Sequence, residues 1–552
     1  MTKRSGVKRR FCQEGRMPVL HFGLPPRIGP LSGVSFELNH PETQFILGEN
    51  MKATTRREFL KSSMAAGLAL GLPRMVIGRE GQSRVTGSNE TIRLAVVGLG
   101  ATTAVGGVGG RGHQLIARLR EVPGVRIAAL CEVDQDFLDR EGQPFKDRGE
   151  EITTCKDVRR VLDDKTIDAV VIALPNHWHA LATVWACQAG KDVYVEKPFS
   201  YNLWEGRQMV AAARKYGRMV QVGTQNRSST LLRQTFDDLR RGQLGSIRYA
   251  HALVYRARDG IGTVNAPTPL PATVDYDLWC GPAPKAPLMR KQLHYEWHWF
   301  WATGNGEIGN NGVHVMDLCR WALGQNQPPP RALSIGGRFG FNDCGETPNT
   351  HIVLLDYQPA PLICEVRNVR VAQGPDAMGK FRNQSRGLVI DCEGGYFAGD
   401  ASGGALFDKQ GKKIKDIPDD GESKRLEVSH LSNFLAAVRS RKASDLAAEA
   451  LQGHLSAACC HMANISHRLG KQSRPEAIRA AIQAHRGLSD AFERCREYLR
   501  ENGVDLGITP ATLGPWVTFD PKRERFVRDF AGPANKLSQR DYRKPFVVPK
   551  IA

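Results

Sequence analysis

The chain of 552 residues lacks any uninterrupted apolar run of about 18 residues, the length that a membrane-spanning helix requires. Its longest apolar stretch, around residues 64–72, is short and interrupted by glycine. The sequence also lacks a CxxC pair and any cluster of Cys, His and acidic residues at metal-ligand spacing. We therefore expect a soluble globular protein without an integral membrane span, with unpaired thiols and with metal-free chemistry.

The charge surplus is basic, since 76 Lys and Arg residues against 57 Asp and Glu residues give a formal net charge of +19. These basic residues are scattered, and no RNP motif, zinc-finger spacing or long basic helix accompanies them. Nucleic acid is therefore not the expected partner. Hydrophobic residues make up 41% of the chain, which is enough apolar material for two or three packed domains.

Residues 51–90 have the pattern of a targeting segment. The run TRREFLK at residues 55–61, followed by a mildly apolar stretch, resembles a twin-arginine (Tat) export signal. We expect translation to begin at Met51, with residues 1–50 a non-structural extension or a mis-assigned start and residues 51–90 the signal and a linker. The expected partner is the Tat export machinery, and the expected location is the periplasm or another extracytoplasmic space.

From Thr91 the sequence alternates short apolar segments with amphipathic ones, which is typical of a parallel sheet flanked by helices. The predicted strands are Ile92–Val97, Val125–Cys131, Ala169–Leu174, Val193–Val195 and Met219–Val222, and the predicted helices lie near Gln114–Arg120, Lys156–Leu162, Trp178–Ala189 and Gly206–Lys215. This order predicts a dinucleotide-binding Rossmann domain over residues 91–225.

The first predicted strand runs into a glycine-rich turn that would let the backbone approach a pyrophosphate closely. Gly98 and Gly100 directly follow the strand, and an insertion separates them from Gly112. We favour these three glycines as the phosphate-binding turn. A second GxGxxG match, formed by Gly107, Gly109 and Gly112, remains the alternative.

Glu132 ends the second predicted strand, where a carboxylate can bind the ribose hydroxyls of an adenosine. A carboxylate there repels a 2′-phosphate, so NAD is favoured over NADP. The alternative is that Glu132 and Asp134 only begin the next helix.

Three later segments carry a family resemblance. They are Val195-Glu196-Lys197-Pro198, the run GNGEIGNNGVHVMD at residues 304–317, and the run ALPNHWH at residues 173–179. Together they resemble the Gfo/Idh/MocA oxidoreductases over roughly residues 91–470. The resemblance implies an α/β fold, with an N-terminal Rossmann domain and a C-terminal α/β domain over residues 226–470 that has a large, open, mostly antiparallel sheet. Alternating segments at His351–Tyr357, Leu362–Asn368 and Gly387–Cys392 favour strands there, and a helical stretch from His430 to Leu469 would close that domain.

The resemblance also implies site residues. The family's segment after the third strand places Pro175, Asn176 and His179 at the cofactor, together with Glu196 and Lys197. Pro198 corresponds to a proline that is often cis in the family.

Lys197 and His314 are the two candidates for the acid–base group. Lys197 follows a parallel strand at its carboxyl end, where such folds bind ligands, and partial burial would lower its pKa. His314 matches the family's catalytic histidine, and an imidazole titrates near neutral pH. The residue four positions earlier is usually Asp but here is Asn310, which cannot relay a proton. Lys197 or His314 must therefore carry more of the acid–base work.

An aromatic run precedes the glycine motif and includes Trp297, Trp299 and Trp301. Aromatic rings suit stacking against the C–H faces of sugars, so these residues are predicted to bind a carbohydrate substrate. The alternative is that some of them pack in the core.

The resemblance favours an NAD(P)-dependent oxidoreductase that transfers hydride to or from a secondary alcohol of a sugar, polyol or related carbohydrate. Because free NAD is scarce outside the cytoplasm, we expect the cofactor to be tightly bound and recycled. One alternative is NAD-dependent glycoside cleavage, resembling glycoside hydrolase family 109, and another is a non-catalytic carbohydrate-binding protein.

Two further expectations concern assembly and the C-terminus. An open sheet of this size predicts a homo-oligomer. Residues 471–552 are predicted to be an extension, with an amphipathic helix at Ala477–Glu501 and then an extended segment that wraps the body or contacts another subunit.

Overall fold

The computed structural model describes residues 91–100, 110–370 and 378–552. The predicted export signal, the linker before residue 91, Gly107 and Gly109 all lie outside the described residues. None of the described helices is long and apolar enough to cross a membrane. All the cysteines within the described ranges are free, and most of them are buried.

The first domain is built on a parallel sheet of six strands within the described residues. The strands are β1 (Ile92–Val97), β2 (Val125–Cys131), β3 (Thr153–Cys155), β4 (Ala169–Ile172), β5 (Asp192–Val195) and β6 (Val220–Val222). Their order is β3-β2-β1-β4-β5-β6, which is the Rossmann order. The central strands are mainly apolar and almost entirely buried because both faces of the sheet are covered. The Rossmann prediction is thus confirmed.

Helices connect these strands and cover both faces. They are α1 (Arg111–Leu119), α2 (Gln135–Lys146), α3 (Val158–Asp163), α4 (Asn176–Gln188) and α5 (Leu203–Lys215). The prediction missed α2 and the short strand β3. The three residues of β3 are polar or only partly buried, and α2 contains Pro144, a residue that is unfavourable in a helix interior.

The second domain contains a mixed sheet of twelve strands in the described part of the chain. The strands are β7 (Ile247–Tyr255), β8 (Arg331–Gly337), β9 (Thr350–Leu355), β10 (Leu362–Arg367), β11 (Arg386–Cys392), β12 (Gly395–Asp400), β13 (Gly403–Asp408), β14 (Lys413–Pro418), β15 (Lys471–Ser473), β16 (Ala511–Leu513), β17 (Val517–Asp520) and β18 (Arg525–Val527). The main order is β14-β13-β12-β11-β7-β10-β9-β8-β16-β15, with β17 pairing β8 and β18. Among the described strand pairs of this second sheet, only β7–β10 is parallel, so the sheet is mostly antiparallel. The predicted α/β fold class is confirmed.

The predicted helical stretch from His430 to Leu469 consists of two helices. The helices after the first domain are α6 (Thr230–Arg240), α7 (Tyr276–Cys280), α8 (Val313–Ala322), α9 (Glu422–Ser440), α10 (Ala450–Arg468), α11 (Pro475–Ile482), α12 (Arg486–Glu501) and α13 (Ala531–Leu537). Leu431, Phe434 and Leu435 of α9 pack with β1 residues in the core of the first domain. The chain therefore returns to the Rossmann sheet at α9, whereas Cys459, Met462 and Ile465 of α10 pack in the core of the second domain.

The C-terminal segment is also more structured than predicted. One helix was expected at Ala477–Glu501, but the structure has two, α11 and α12, separated by a turn at residues 483–485. Strands β15 and β16 extend the large sheet, while Phe546 and Val548 are buried in the first domain. The segment thus packs against both domains.

Candidate active site

A cleft of about 230 Å³ lies at the carboxyl ends of the parallel strands. This is the edge at which open α/β sheets bind ligands. The residues before α8 cover it from the second domain. The lining includes Gly98, Gly100, Gly110, Arg111, Glu132, Pro175, Asn176, Trp178, Glu196, Lys197, Trp279, His294, Tyr295, Trp297, His298 and Asn310.

The glycine turn after β1 is shaped by very close backbone contacts. A Cβ on Gly98, which has φ of 85°, would lie 2.8 Å from the carbonyl of Ala173. A Cβ on Gly112 would lie 1.9 Å from the Gly98 carbonyl oxygen, so only glycine lets α1 pack against the turn. Helix α1 begins after Gly110 without a side-chain cap, and its N-terminus borders the cleft. This arrangement fits the pyrophosphate of a dinucleotide.

Glu132 closes that turn. One carboxylate oxygen accepts from the backbone amides of Leu99 at 2.8 Å and Gly100 at 3.4 Å, and the other accepts from Val133 at 2.8 Å. The helix-starting role belongs instead to Asp134, which accepts from the Asp136 amide as the N-cap of α2. The oxygen that accepts from Val133 also accepts from the Asp134 amide at 3.3 Å, so each carboxylate oxygen accepts from two backbone amides, and Glu132 lines the cleft.

The segment after β4 contains residues that line the cleft and one residue, His179, that holds two loops together. Pro175 and Asn176 line the cleft, and the Asn176 amide donates to Asn305 Oδ1 at 2.9 Å. His179 is not part of the lining: its Nδ1 lies 2.7 Å from the Pro198 carbonyl oxygen and its Nε2 lies 2.8 Å from that of Leu174. The prediction that His179 contacts the cofactor is therefore replaced by a structural role, in which the ring joins the loops after β4 and β5.

Glu196 is a buried carboxylate at the end of β5. Arg111 Nε donates to its Oε1 at 2.7 Å, and the Lys197 backbone amide donates to its Oε2 at 3.2 Å. A Cβ on Gly223 would lie 2.7 Å from Oε1, so glycine provides the space for this carboxylate. Glu196 thus fixes the start of the segment that carries Lys197.

Lys197 reaches across the cleft to Asn310. Its Nζ donates to the Asn310 carbonyl oxygen at 2.8 Å and to Asn310 Oδ1 at 3.2 Å. Burial lowers the pKa of Lys197, while the negative charge of Glu196 opposes this shift. An ammonium group has three N–H donors, so one remains for a substrate oxygen. The Lys197–Pro198 peptide bond is cis.

A fully buried carboxylate, Glu307, lies behind this pair. Its Oε2 accepts from Asn310 Nδ2 at 3.2 Å, and an Arg258 nitrogen donates to both carboxylate oxygens at 3.1 Å. Arg258 also donates to the Tyr295 hydroxyl at 2.6 Å. The sequence analysis did not identify Glu307 or Arg258, although a Glu inside a glycine-rich motif is a recognisable signal.

Both domains match known family models. Residues 92–224 match the NAD-binding Rossmann fold of the GFO/IDH/MocA oxidoreductase family, and residues 259–349 match the C-terminal alpha/beta domain of the same family. The chain belongs to the Gfo/Idh/MocA oxidoreductase family.

Curated relatives carry different names. The chain is 27% identical over 222 residues to the uncharacterized oxidoreductase YrbE of Bacillus subtilis (40% of this chain, 53% of the relative). It is 30% identical over 166 residues to a glycosyl hydrolase family 109 protein of Solibacter usitatus (28% and 36%). It is 29% identical over 173 residues to inositol 2-dehydrogenase of Salmonella typhimurium (30% and 47%). The matches thus span only about a third to a half of these relatives' lengths.

His314, the residue that matches the family's catalytic histidine, does not line the cleft that holds Lys197. It lines a neighbouring cavity of about 270 Å³ with Gln225, Arg256 and Arg386. Burial, followed by the charge of Lys197, lowers the pKa of His314 to about 3. A π-helical turn at Ile308–Gly312 precedes α8 and changes the direction in which the following side chains point.

The three predicted tryptophans separate in the structure. Trp297 lines the cleft, but Trp299 is buried beneath Arg338, and Trp301 lies against Arg468. The prediction of three stacking rings is therefore corrected to one. The reason is the 3-10 turn at Glu296–Trp299, which sends neighbouring residues to different sides. Trp279 and Tyr295 supply further rings to the cleft.

His298, which the sequence analysis treated only as part of the aromatic run, lines the cleft with Lys197, as does His294. A histidine between two tryptophans gave no sequence signal of its own. In the described ranges, no group of three or more His, Cys, Asp or Glu residues could hold a metal ion.

Proposed function

We propose that the chain is an NAD-dependent oxidoreductase that transfers hydride to or from a secondary alcohol of a sugar or polyol. The observation that carries the proposal is the position of Lys197 Nζ, held by Asn310 in a cleft that the strand ends and the glycine turn also line. The relative named inositol 2-dehydrogenase supports the polyol class.

The described residues fit a dinucleotide. Gly98, Gly100 and Gly112 shape the phosphate turn, Glu132 would meet the adenosine ribose, and Asn176 and Glu196 line the other end of the cleft. The Glu132 carboxylate favours NAD because it repels a 2′-phosphate. When bound, the nicotinamide supplies hydride acceptance and return, and we propose that it stays tightly bound between turnovers.

The chain's own groups would orient the alcohol. Lys197 donates its remaining N–H to the substrate oxygen and stabilises negative charge there in either direction of reaction. The rings of Trp297 and Tyr295 offer apolar faces to the C–H face of a sugar. Arg258 and Glu307 hold Tyr295 and Asn310 in place through the hydrogen bonds given above.

A second candidate is NAD-dependent glycoside cleavage, which the relative named glycosyl hydrolase family 109 protein favours. In that reaction, oxidation at a sugar carbon acidifies the neighbouring proton, the aglycone is eliminated, water adds and the hydride returns. The same residues would serve, but no NADH would accumulate.

We further propose that the chain is exported by the Tat machinery to an extracytoplasmic location and that it forms a homo-oligomer. The TRREFLK run at residues 55–61 supports export. The edge strand β14 supports assembly, because its residues are largely exposed and Ile414 is 55% exposed.

The test begins with the full chain purified from a Tat-competent host and denatured, so that released nucleotides are identified by mass spectrometry. NADH and NADPH are then titrated by fluorescence, and myo-inositol, D-glucose and 4-nitrophenyl glycosides are offered with NAD. NADH formation supports the oxidoreductase, whereas nitrophenol release without NADH supports the glycosidase. Lys197→Met should abolish turnover, while the exposed Lys215→Met should not. Absence of any nicotinamide nucleotide binding would overturn the proposal.

A further inference from the structure

His298 has one ring nitrogen whose protonation state the structure fixes. Its Nδ1 lies 2.6 Å from the carbonyl oxygen of Tyr295. A carbonyl oxygen only accepts hydrogen bonds, so Nδ1 must carry the proton. In the neutral ring Nε2 is then an unprotonated acceptor. Among the described residues this buried Nε2 has no hydrogen-bond partner. Buried polar atoms usually have hydrogen-bond partners, so an unpartnered Nε2 indicates an acceptor that is available to a ligand.

The imidazole is held rigidly. Its ring centroid lies 5.0 Å from that of Tyr295 and 4.6 Å from that of Trp299. Tyr295 has φ of 71°, which is unfavourable for a residue other than glycine and aims its carbonyl at the imidazole. A Cβ on Gly304 would lie 2.3 Å from His298 Cα, so the backbone behind the ring is closely packed.

The surroundings keep this imidazole neutral near pH 7. Burial lowers the pKa of His298 to about 4, and the negative charge of Glu307 only partly opposes that shift. The cations Arg258 and Lys197 lower the pKa further, and the Tyr295 phenol faces the same ring. His298 is therefore a hydrogen-bond acceptor at its Nε2 over the physiological pH range.

The other polar groups of the cleft are already engaged. The Asn310 side chain accepts from Lys197 and donates to Glu307. The Glu307 carboxylate is paired with Arg258, and that of Glu196 with Arg111. His294 is the other imidazole of the lining, and its Nε2 lies 3.0 Å from Asp134 Oδ2. His314 lines the neighbouring cavity. Oxidation of an alcohol needs an acceptor for the hydroxyl proton as well as a donor to its oxygen.

We propose that His298 Nε2 is the base that accepts the substrate hydroxyl proton, with Lys197 as the donor to the same oxygen. The inference rests on the proposed function and assigns the acid–base role to a residue outside the family's two motifs. In the oxidative direction the O–H bond breaks and its proton goes to Nε2. The C–H bond of the same carbon breaks with its electron pair leaving as hydride to oxidised nicotinamide, and C=O forms. The reductive direction reverses each transfer.

The first experiment needs no turnover. The full chain is labelled with 15N-histidine, and His298 is assigned by comparing spectra with His298→Gln. The expected result is a neutral ring protonated at Nδ1 from pH 6 to pH 8, and a shift of the Nε2 resonance when NADH and myo-inositol are added. An Nε2–H tautomer, an imidazolium at pH 7 or an unchanged resonance would overturn the proposal.

The second experiment compares variants. His298→Gln should keep the wild-type affinity for NADH but lose about 100-fold or more in kcat, and the fall in rate as pH drops toward 4 should disappear. His467→Gln is the matched control, because its ring also has a buried, unpartnered nitrogen but lies outside the cleft. Equal kcat in His298→Gln and His467→Gln would overturn the assignment. If the wild-type chain does not bind NADH, the proposed function is wrong, and the tautomer and protonation state measured by NMR without ligand still decide whether Nε2 can act as a base.

Discussion

The side-chain amide of Asn310 donates to the buried carboxylate of Glu307 at 3.2 Å. Its oxygen accepts from Lys197 at 3.2 Å, so one side chain connects an anion to a cation. A carboxamide offers a donor at one end and an acceptor at the other, whereas an ionised carboxylate only accepts. The family's usual Asp at this position would place a second carboxylate against Glu307, which explains why this chain has Asn.

Asn310→Asp should therefore destabilise the protein at pH 8 and do so less at pH 5. Two adjoining buried carboxylates cannot both ionise freely, so one of their pKa values rises, at about 1.4 kcal/mol per unit. As the pH falls, one of the two carboxylates of the variant binds a proton, the repulsion between them is removed, and the free energy of unfolding rises toward that of the wild type. Thermal unfolding at both pH values measures this. Asn310→Asp with Glu307→Gln should recover stability at pH 8, and a single variant as stable as the wild type there would refute the argument.

Much of the fold and part of the site could be predicted from the sequence. Strands such as Ala169–Ile172 are continuous apolar runs, and the run EKP at residues 196–198 lies at a strand end where a parallel sheet binds ligands. A short segment of sequence is enough to predict that a strand is buried and where it ends, so these features could be recognised without knowledge of distant contacts.

The remaining features depend on partners that are distant in sequence. The π-helical turn at Ile308–Gly312 separates His314 from the cleft of Lys197, and no residue pattern announces such a turn. The proposed role of His298 depends on the backbone of Tyr295, whose positive φ directs its carbonyl oxygen at His298 Nδ1. Helix α9 packs on the first domain through apolar contacts with its sheet. These arrangements are properties of packing, which periodicity does not encode.

Gly112→Ala should disrupt the cofactor turn. The added methyl group would lie 1.9 Å from the Gly98 carbonyl oxygen and 2.8 Å from Leu99 Cα, so α1 must move away from β1. NADH affinity should fall at least about tenfold, which corresponds to ~1.4 kcal/mol. Fluorescence titration gives the affinity. Gly142→Ala is the control, because its Cβ would make only an ordinary contact, 3.7 Å from Thr154, and should leave NADH binding intact.

Acid should destabilise the protein through its buried histidines. Burial is the main cause that lowers the pKa of His177 and His461 to about 3 and that of His430 to about 4. The unfolded chain binds these protons near pH 6.5, whereas the folded chain does not, so stability is complete above about 6.5 and falls toward pH 4.

Unfolding free energies at pH 7.5, 6 and 5 measure this slope. His430→Gln should make it shallower by about 1.4 kcal/mol per pH unit below 6.5, because one titrating group is removed. An unchanged slope in that variant would contradict the predicted contribution of His430.

The C-terminal segment should support the cofactor cleft through Phe546. This ring is 2% exposed and lies 5.5 Å from the ring of Trp178, which itself lines the cleft. Phe546→Ala should cost about 3–5 kcal/mol of unfolding free energy, because it leaves a cavity in the first domain. It should also weaken NADH binding, since Trp178 loses its support.

Val547 provides the neighbouring control, because it is 40% exposed and Val547→Ala removes little buried surface. Denaturant unfolding and NADH titration are measured on both variants. If the two variants are equally stable, the segment does not contribute to the core. If Phe546→Ala loses stability but binds NADH as the wild type does, the packing of Phe546 is structural and Trp178 keeps its place in the cleft without it.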